Sequence, residues 1–456
     1  MVKKSTKTAA IALTAATLLL GATACGSKNN DNNTNTGNAG TNAGTNAGTN
    51  AGTNAGASDE KVTINFQNIY PDPATPSYKM LHAIVDQYQK DHPNVKIELE
   101  SMNTDQQKLK LKTQAASNTV PDITIVNPSA QLQPYLKVLA PLNDMIDKNG
   151  LKDTFQKGLL DYYSADGNTY ALPDGNNIEV VYYNKDLFAQ AGITAPPTTF
   201  DEFLADVKAL RAKNITPIAE GEKDSWTGSF LFMNILLRTN NGPGFLKDVN
   251  DGKKTFKDPA FIEAVTAMQD LIQAKAFEEG ATSIDYNTGG NIFKTGKAAM
   301  MIMGTWETGA VDSSAVGPKV GVFKFPTVNG KGDPDEFMLA PGSAFAVSAN
   351  SKHLQATKDF LNYFMTEMPK KQFELKNAVG SGQIITGDFK AAGYSQLAQD
   401  VLEMFKSQKG GDIAFDNTMK PAIAQAHLSS IQNMFVQKVD PAAVAAEHQS
   451  AFDANK

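Results

Sequence analysis

From Val62 onward the chain alternates between two hydrophobic periods. In "VTINFQN" the apolar residues Val62, Ile64 and Phe66 occupy every second position, the spacing of a half-buried strand. Thr75-Pro76 then supplies a cap and a first-turn proline, and Met80, Leu81, Ile84, Val85 and Tyr88 fall on one helical face. "VKIELE" returns to the two-residue period, a helix runs through Leu109 and Leu111, and the strand "DITIV" follows Pro121. Strand-helix-strand-helix-strand with short links predicts an open, mostly parallel α/β layer. The pattern restarts in "PPTTFDEFLADVKALRAKNI", where Thr199 and Glu202 have capping-box spacing and Phe203, Leu204, Val207 and Leu210 share a face. Another helix begins at Asp258-Pro259, with Phe261, Val265, Met268 and Ile272 inward. About 400 residues of this kind exceed one simple domain and suit two. The expectation is an α/β protein of two lobes.

The preceding residues have a different character. Lys3, Lys4 and Lys7 form a basic patch, followed by an apolar stretch from Ala9 to Gly21. That stretch is too short to span a bilayer and has the length of an export signal. Leu20-Gly21-Ala22-Thr23-Ala24-Cys25 resembles a bacterial lipoprotein box, with Ala22 where leucine is commonest. Cys25 is the only cysteine, so it has no disulfide partner within the chain, and lipidation is its most economical role. Residues 1–24 are read as a lipoprotein signal peptide and 25–57 as the lipidated cysteine with a tether. "TNAG" recurs four times between Thr41 and Gly56, a composition without core-forming residues whose reach is roughly 30 Å. A long tether favours anchoring on the outer face of a Gram-positive cell membrane. Loss of the three signal lysines takes the formal charge from −6 to −9. An acidic body with Arg211 and Arg238 as its only arginines argues against a nucleic-acid partner.

Signals for catalysis are missing. The sequence has no GxSxG, P-loop or HExxH pattern. Its five histidines, His82, His92, His353, His427 and His448, are scattered without metal-ligand spacing. Four of them lie in charge-rich helical patterns expected to face solvent, and His427 is expected nearer a groove. "DGNTY" and "DPDE" hold acids that a glycosidase would use, but nothing local signals a raised pKa. No catalytic residue, cofactor or metal is expected.

Binding chemistry is better represented. A sugar offers apolar C–H faces and a rim of hydroxyls, so its site wants an aromatic platform together with Asp, Glu or Asn. In open α/β sheets such groups sit on loops beyond strand ends. The candidate strand ends supply Asn68 and Tyr70 in "NFQNIYPD", Asn127 and Ser129 in "ITIVNPS", and Trp306 and Glu307 in "MMIMGTWE".

One segment, "GNTYALPDGNNIEVVYYNKDLFAQAGITAPPTTFDEFLADVKAL", resembles the signature of the family 1 extracellular solute-binding proteins of ABC importers, which include maltose- and multiple-sugar-binding lipoproteins. "VPDITIVNPS", "FKTGKAAMMIMGTWE" and "APGSAFAVSANSKHLQATKDFLNYF" agree in order and spacing, so the resemblance covers nearly the whole body. It implies a periplasmic-binding-protein fold: two lobes, a hinge and a ligand cleft between them. The first lobe would hold residues 58–174 and about 340–385, the second 175–339 and about 386–456.

On this resemblance Trp306 falls where the family stacks an aromatic on the sugar, and Gly304 would let the backbone turn tightly beside it. Trp226 falls where a second platform is often added. Asn177 and Glu100 align with polar contact positions, and Gly342 and Ser343 would offer donors from the returning strand. Asp122 would brace its strand, and Lys185 and Asp186 would serve a strand-to-helix turn. The implied function is a non-catalytic, monomeric carbohydrate receptor that delivers to the transmembrane subunits of an ABC permease and touches the membrane only through its lipid. "GEKDSW" and "DNTMKPAIAQAHLSS" lack the aromatic clusters of some maltodextrin binders, which points to a smaller or more polar ligand. A non-sugar solute and a surface glycoside hydrolase are the alternatives.

Overall fold

The computed structural model describes residues 61–456, and these build two large sheets, each with its own core, and a two-stranded ribbon, Ser164–Ala165 with Asn168–Thr169. Cys25, the export signal and the tether lie outside the described residues. In the first sheet the strand order is Val95–Ser101, Val62–Asn68, Ile123–Val126, Ala344–Val347, Ala171–Pro173. The first three strands run parallel, and Ala344–Val347 runs antiparallel to both its neighbours. The helix Pro76–Asp91 begins where the sequence places it, with the Thr75 side chain accepting from Tyr78 N and the five expected residues buried. In the next helix, Thr104–Ser117, Leu111 is buried but Leu109 is 69% exposed, because two residues along a helix turn a side chain to another face. Phe66, Phe345 and Phe364 meet edge-to-face at 5.1–5.7 Å and join the sheet to the long helix Leu354–Glu374. Asp122 braces this sheet, accepting from Asn65 N at 2.9 Å and from the Ser351 hydroxyl at 2.5 Å.

The second sheet has the order Gly410–Ile413, Glu336–Pro341, Asn176–Asn184, Ala298–Gly304, Thr216–Ala219, and Val320–Phe323 also pairs with Asn176–Asn184. Helices cover both faces. Every residue of Ala298–Gly304 is buried, with Met300 and Ile302 packing into one cluster and Met301 and Met303 into another. A strand covered on both sides reads as a continuous apolar run, as this one does. The helix Phe200–Ala212 carries the expected capping box, Thr199 with Glu202.

Three segments pass between the sheets, and they bond side by side. Gly342 N donates to Gly175 O at 2.8 Å, Asp174 N to Ser343 O at 2.9 Å, and Asn176 N to Gly380 O at 2.8 Å. A side chain on Gly342 would run into the Gly175 backbone, so the segments approach this closely only with glycine there. Short connections of this kind can absorb a rotation while both sheets stay rigid.

Two histidines depart from expectation. His427 is fully buried rather than near a groove, and His448 is buried rather than solvent-facing. His427 stacks on Phe415 at 3.7 Å, and its two ring nitrogens meet His448 Nε2 and the Ser229 hydroxyl, each at 2.9 Å. The rings bond to each other, and His448 Nδ1 meets Val444 O at 2.8 Å, so all four nitrogens have partners, which is what lets helices rich in polar residues bury them.

Candidate functional site

A cavity of about 440 Å³ opens between the lobes and is lined by residues of both, together with the crossing segments. Its aromatic wall comes from the second lobe. The buried strand Ala298–Gly304 ends in a helical turn, Thr305–Glu307, which presents Trp306. Gly304 has no side chain, and the Trp306 indole folds back over the space that one would fill.

The indole is anchored as well as presented. Trp306 Nε1 donates to the Tyr286 hydroxyl at 2.9 Å, and that hydroxyl in turn donates to the Glu307 carboxylate. Lys294 Nζ lies 3.1 Å from the other Glu307 oxygen, with both side chains largely buried. Burial and then the Glu307 charge push the Tyr286 phenol well above its ordinary pKa, so it remains a donor. Phe230 packs edge-on to Trp306 at 6.2 Å, while Trp226 lies 4.9 Å from Phe230 and 5.0 Å from Tyr286. Trp226 opens the helix Trp226–Thr239, and Glu222 holds its first turn, accepting from Gly228 N at 2.7 Å and from the Thr227 hydroxyl at 3.2 Å. The four rings make one rigid cluster with the half-buried Trp306 at its cleft edge.

The facing wall and floor are polar. Tyr70 donates its hydroxyl to Asp174 at the first crossing. Burial lifts the Asp174 pKa to about 6, against the pull of the Tyr70 bond. Asn177, buried beside the crossing, accepts from the Thr305 hydroxyl at 3.0 Å. Asp72, Asn127 and Ser343 line the cavity too.

Of the residues singled out from sequence, Trp306, Trp226, Asn127, Asn177, Tyr70, Glu307, Gly342 and Ser343 come together around this cavity. Glu307 arrives with both oxygens engaged, and the Gly342 amide is occupied by Gly175. Three residues sit outside the lining. Asn68 lies behind the wall, where its Oδ1 accepts from Tyr70 N at 3.0 Å and holds the turn that presents Tyr70. Glu100 lies on the edge strand, exposed and paired with Lys110, which holds its pKa below the usual range. Ser129 starts the helical turn Ser129–Gln131, and that turn brings Gln131 to the cavity instead. Lys108, Gln131, Asp174, Tyr286, Asp416 and Asn417 line the cavity without having been singled out. Their only sequence signals are ordinary helix starts and turns.

The sequence profile described as bacterial extracellular solute-binding protein matches residues 72–371. A putative binding protein of Brucella abortus is 28% identical over 242 residues, 52% of this chain. That match spans 57% of the Brucella protein, so the chain covers little more than half the length of that curated relative. A multiple sugar-binding protein of Streptococcus mutans is 24% identical over 70% of this chain and 74% of its own length. Among solved structures, a chitin oligosaccharide binding protein superposes with a TM-score of 0.78 at 29% identity, covering 86% of this chain and 98% of that one.

Proposed function

The chain belongs to the bacterial extracellular solute-binding proteins, and from that premise we propose that it is the carbohydrate receptor of an ABC importer. It captures a mono- or short oligosaccharide between its lobes and presents it to the permease. The observation that carries this reading is the braced indole of Trp306 facing a polar wall across the cavity. A pyranose has an apolar face to stack and hydroxyls for Tyr70, Asn127, Asp174, Asn177 and Ser343. The sugar-binding names of similar proteins support the same class.

The arginines argue against a phosphorylated ligand. Arg238 is buried and donates to the Phe325 and Glu336 carbonyls, and Arg211 donates to the Lys275 and Phe277 carbonyls; neither lines the cavity. Lys294 is tied to Glu307. The proposal extends to a monomer that works by binding without turnover, held on the outer face of a Gram-positive membrane through lipid on Cys25. Ligand then shifts an open ensemble toward a closed one that the permease reads.

Titration calorimetry of the full chain tests this proposal. The panel is neutral mono-, di- and trisaccharides, with sn-glycerol 3-phosphate and a polyamine as counter-ligands. Saturable heat with one sugar class, without cleavage products, supports the receptor. Binding confined to the phosphate or the polyamine, or release of sugar products, refutes it.

A further inference from the structure

On one border the cleft is closed by side chains that bridge the lobes. From the first lobe, Gln131 Nε2 donates to Asp416 Oδ2 at 2.7 Å and lies 2.6 Å from Asn417 Oδ1, both on the second lobe. Also from the first lobe, Lys108 places its ammonium 5.9 Å from the centre of the Trp226 ring, within reach of a cation–π contact. All five residues line the cavity, so the bridge is its wall. Beyond it, Asp105 of the first lobe meets Asp224 of the second, and its pKa rises to about 7 because of burial first and the facing acid carboxyls, against the pull of Lys108.

The second-lobe half of this bridge is rigid. Asp416 and Asn417 sit on the short helix Phe415–Thr418, whose Phe415 stacks on the buried His427. His427 is in turn fixed by His448 and Ser229. Trp226 is clamped by Phe230 and Tyr286. The first-lobe half is two unbranched side chains, and both are replaceable without touching either core.

Resting on the carbohydrate reading of the cavity, we infer that Lys108 and Gln131 are specificity-determining residues that end the sugar site at this border and hold the receptor to short saccharides. Trp306 offers its face to a sugar ring. The Lys108 ammonium stands over the Trp226 ring at 5.9 Å, so a further ring stacks there only by displacing it and by parting Gln131 from Asp416 and Asn417. The length limit is therefore set by these side chains rather than by the backbone.

The test compares a disaccharide and a tetrasaccharide of one homologous series on the full chain by calorimetry, in wild type, Lys108→Ala, Lys108→Met and Lys108→Ala/Gln131→Ala. The readout is the ratio of the two affinities, which a general loss of stability does not move. The wild type is expected to favour the disaccharide. The double variant is expected to shift the ratio toward the tetrasaccharide by tenfold or more, Lys108→Ala by part of that, and Lys108→Met, which keeps the bulk of the stem, by less than Lys108→Ala. An unchanged ratio in the double variant, with both sugars still binding, overturns the inference and leaves the receptor reading intact. If no series binds wild type in any length, the receptor reading fails and takes this one with it.

Discussion

Substituting Gly304 by alanine tests the platform without removing it. Gly304 has φ −65° and ψ 155°, a conformation that alanine adopts freely. The backbone therefore tolerates the change, and the obstacle is the Trp306 ring, since an added Cβ would overlap Cζ3, Cε3 and Cη2 of the indole. Restoring ordinary carbon–carbon separation requires the ring to retreat by roughly 1 to 2 Å. Because Trp306 is half-buried at the cleft edge while the strand behind it is fully buried, the ring moves rather than the strand. The move carries the indole off its bond to Tyr286 and out of register with a stacked sugar. Losing that contact should cost about 1 to 3 kcal/mol, or roughly 5- to 150-fold in Kd. Stability should fall by no more than about 1 to 2 kcal/mol, from weakened contacts with Phe230 and Trp226. Calorimetric Kd values for wild type, Gly304→Ala, Trp306→Ala and the double variant decide the matter. In the double variant the alanine has no indole to displace, so the two effects should be strongly non-additive. An affinity within twofold of wild type in folded Gly304→Ala, or simple additivity in the cycle, would show that the indole does not depend on the space beside Gly304 to hold the sugar.

Stability should depend on pH through acids buried in the second lobe. Burial lifts the Glu220 pKa to about 7, and Glu222 and Glu179 move in the same direction for the same cause. The folded chain thus keeps protons that an unfolded glutamate loses near 4.5, so this contribution is complete at low pH and is lost as pH rises through about 7. Buried His427 and His448 act oppositely, but only below about 6.5. The melting temperature should therefore climb as pH falls from 8 to 6.5, and Glu220→Gln should flatten the climb; a flat wild-type profile contradicts it. Thr199→Ala removes one half of a complete capping box and should cost about 0.5 to 2 kcal/mol in urea unfolding, with sugar affinity unchanged. Cys25→Ser should move the protein from the membrane fraction to the medium or leave it unprocessed; undiminished labelling by a lipid precursor would rule out the anchor.

Periodicity made the architecture legible because each element is amphipathic in a plain way: the face of Pro76–Asp91 and the continuous run Ala298–Gly304 are visible in the letters and buried in the structure. The cavity was legible where a strand end carries an unusual residue, as with Trp306 and Tyr70. Lys108, Gln131, Asp416 and Asn417 were not, because each reaches the cavity only through the approach of the two lobes, and local sequence carries no trace of that distance. Glu100 shows the converse. It ends a strand like the others, but the strand lies at the sheet edge, and strand order is a tertiary fact that pattern alone does not encode. His427 and His448 share the difficulty: each looks like a polar residue on a surface helix until the partner ring is known.

The most direct measurement uses the two tryptophans of the chain, both of which line the cavity. Intrinsic fluorescence of the full chain, titrated with small neutral saccharides, reports on the proposed site alone. A saturable shift with one sugar class, lost in Trp306→Ala, is the expected result. Calorimetric binding of a sugar with no change in either tryptophan would place the ligand away from Trp306 and Trp226 and remove this cavity as the sugar site.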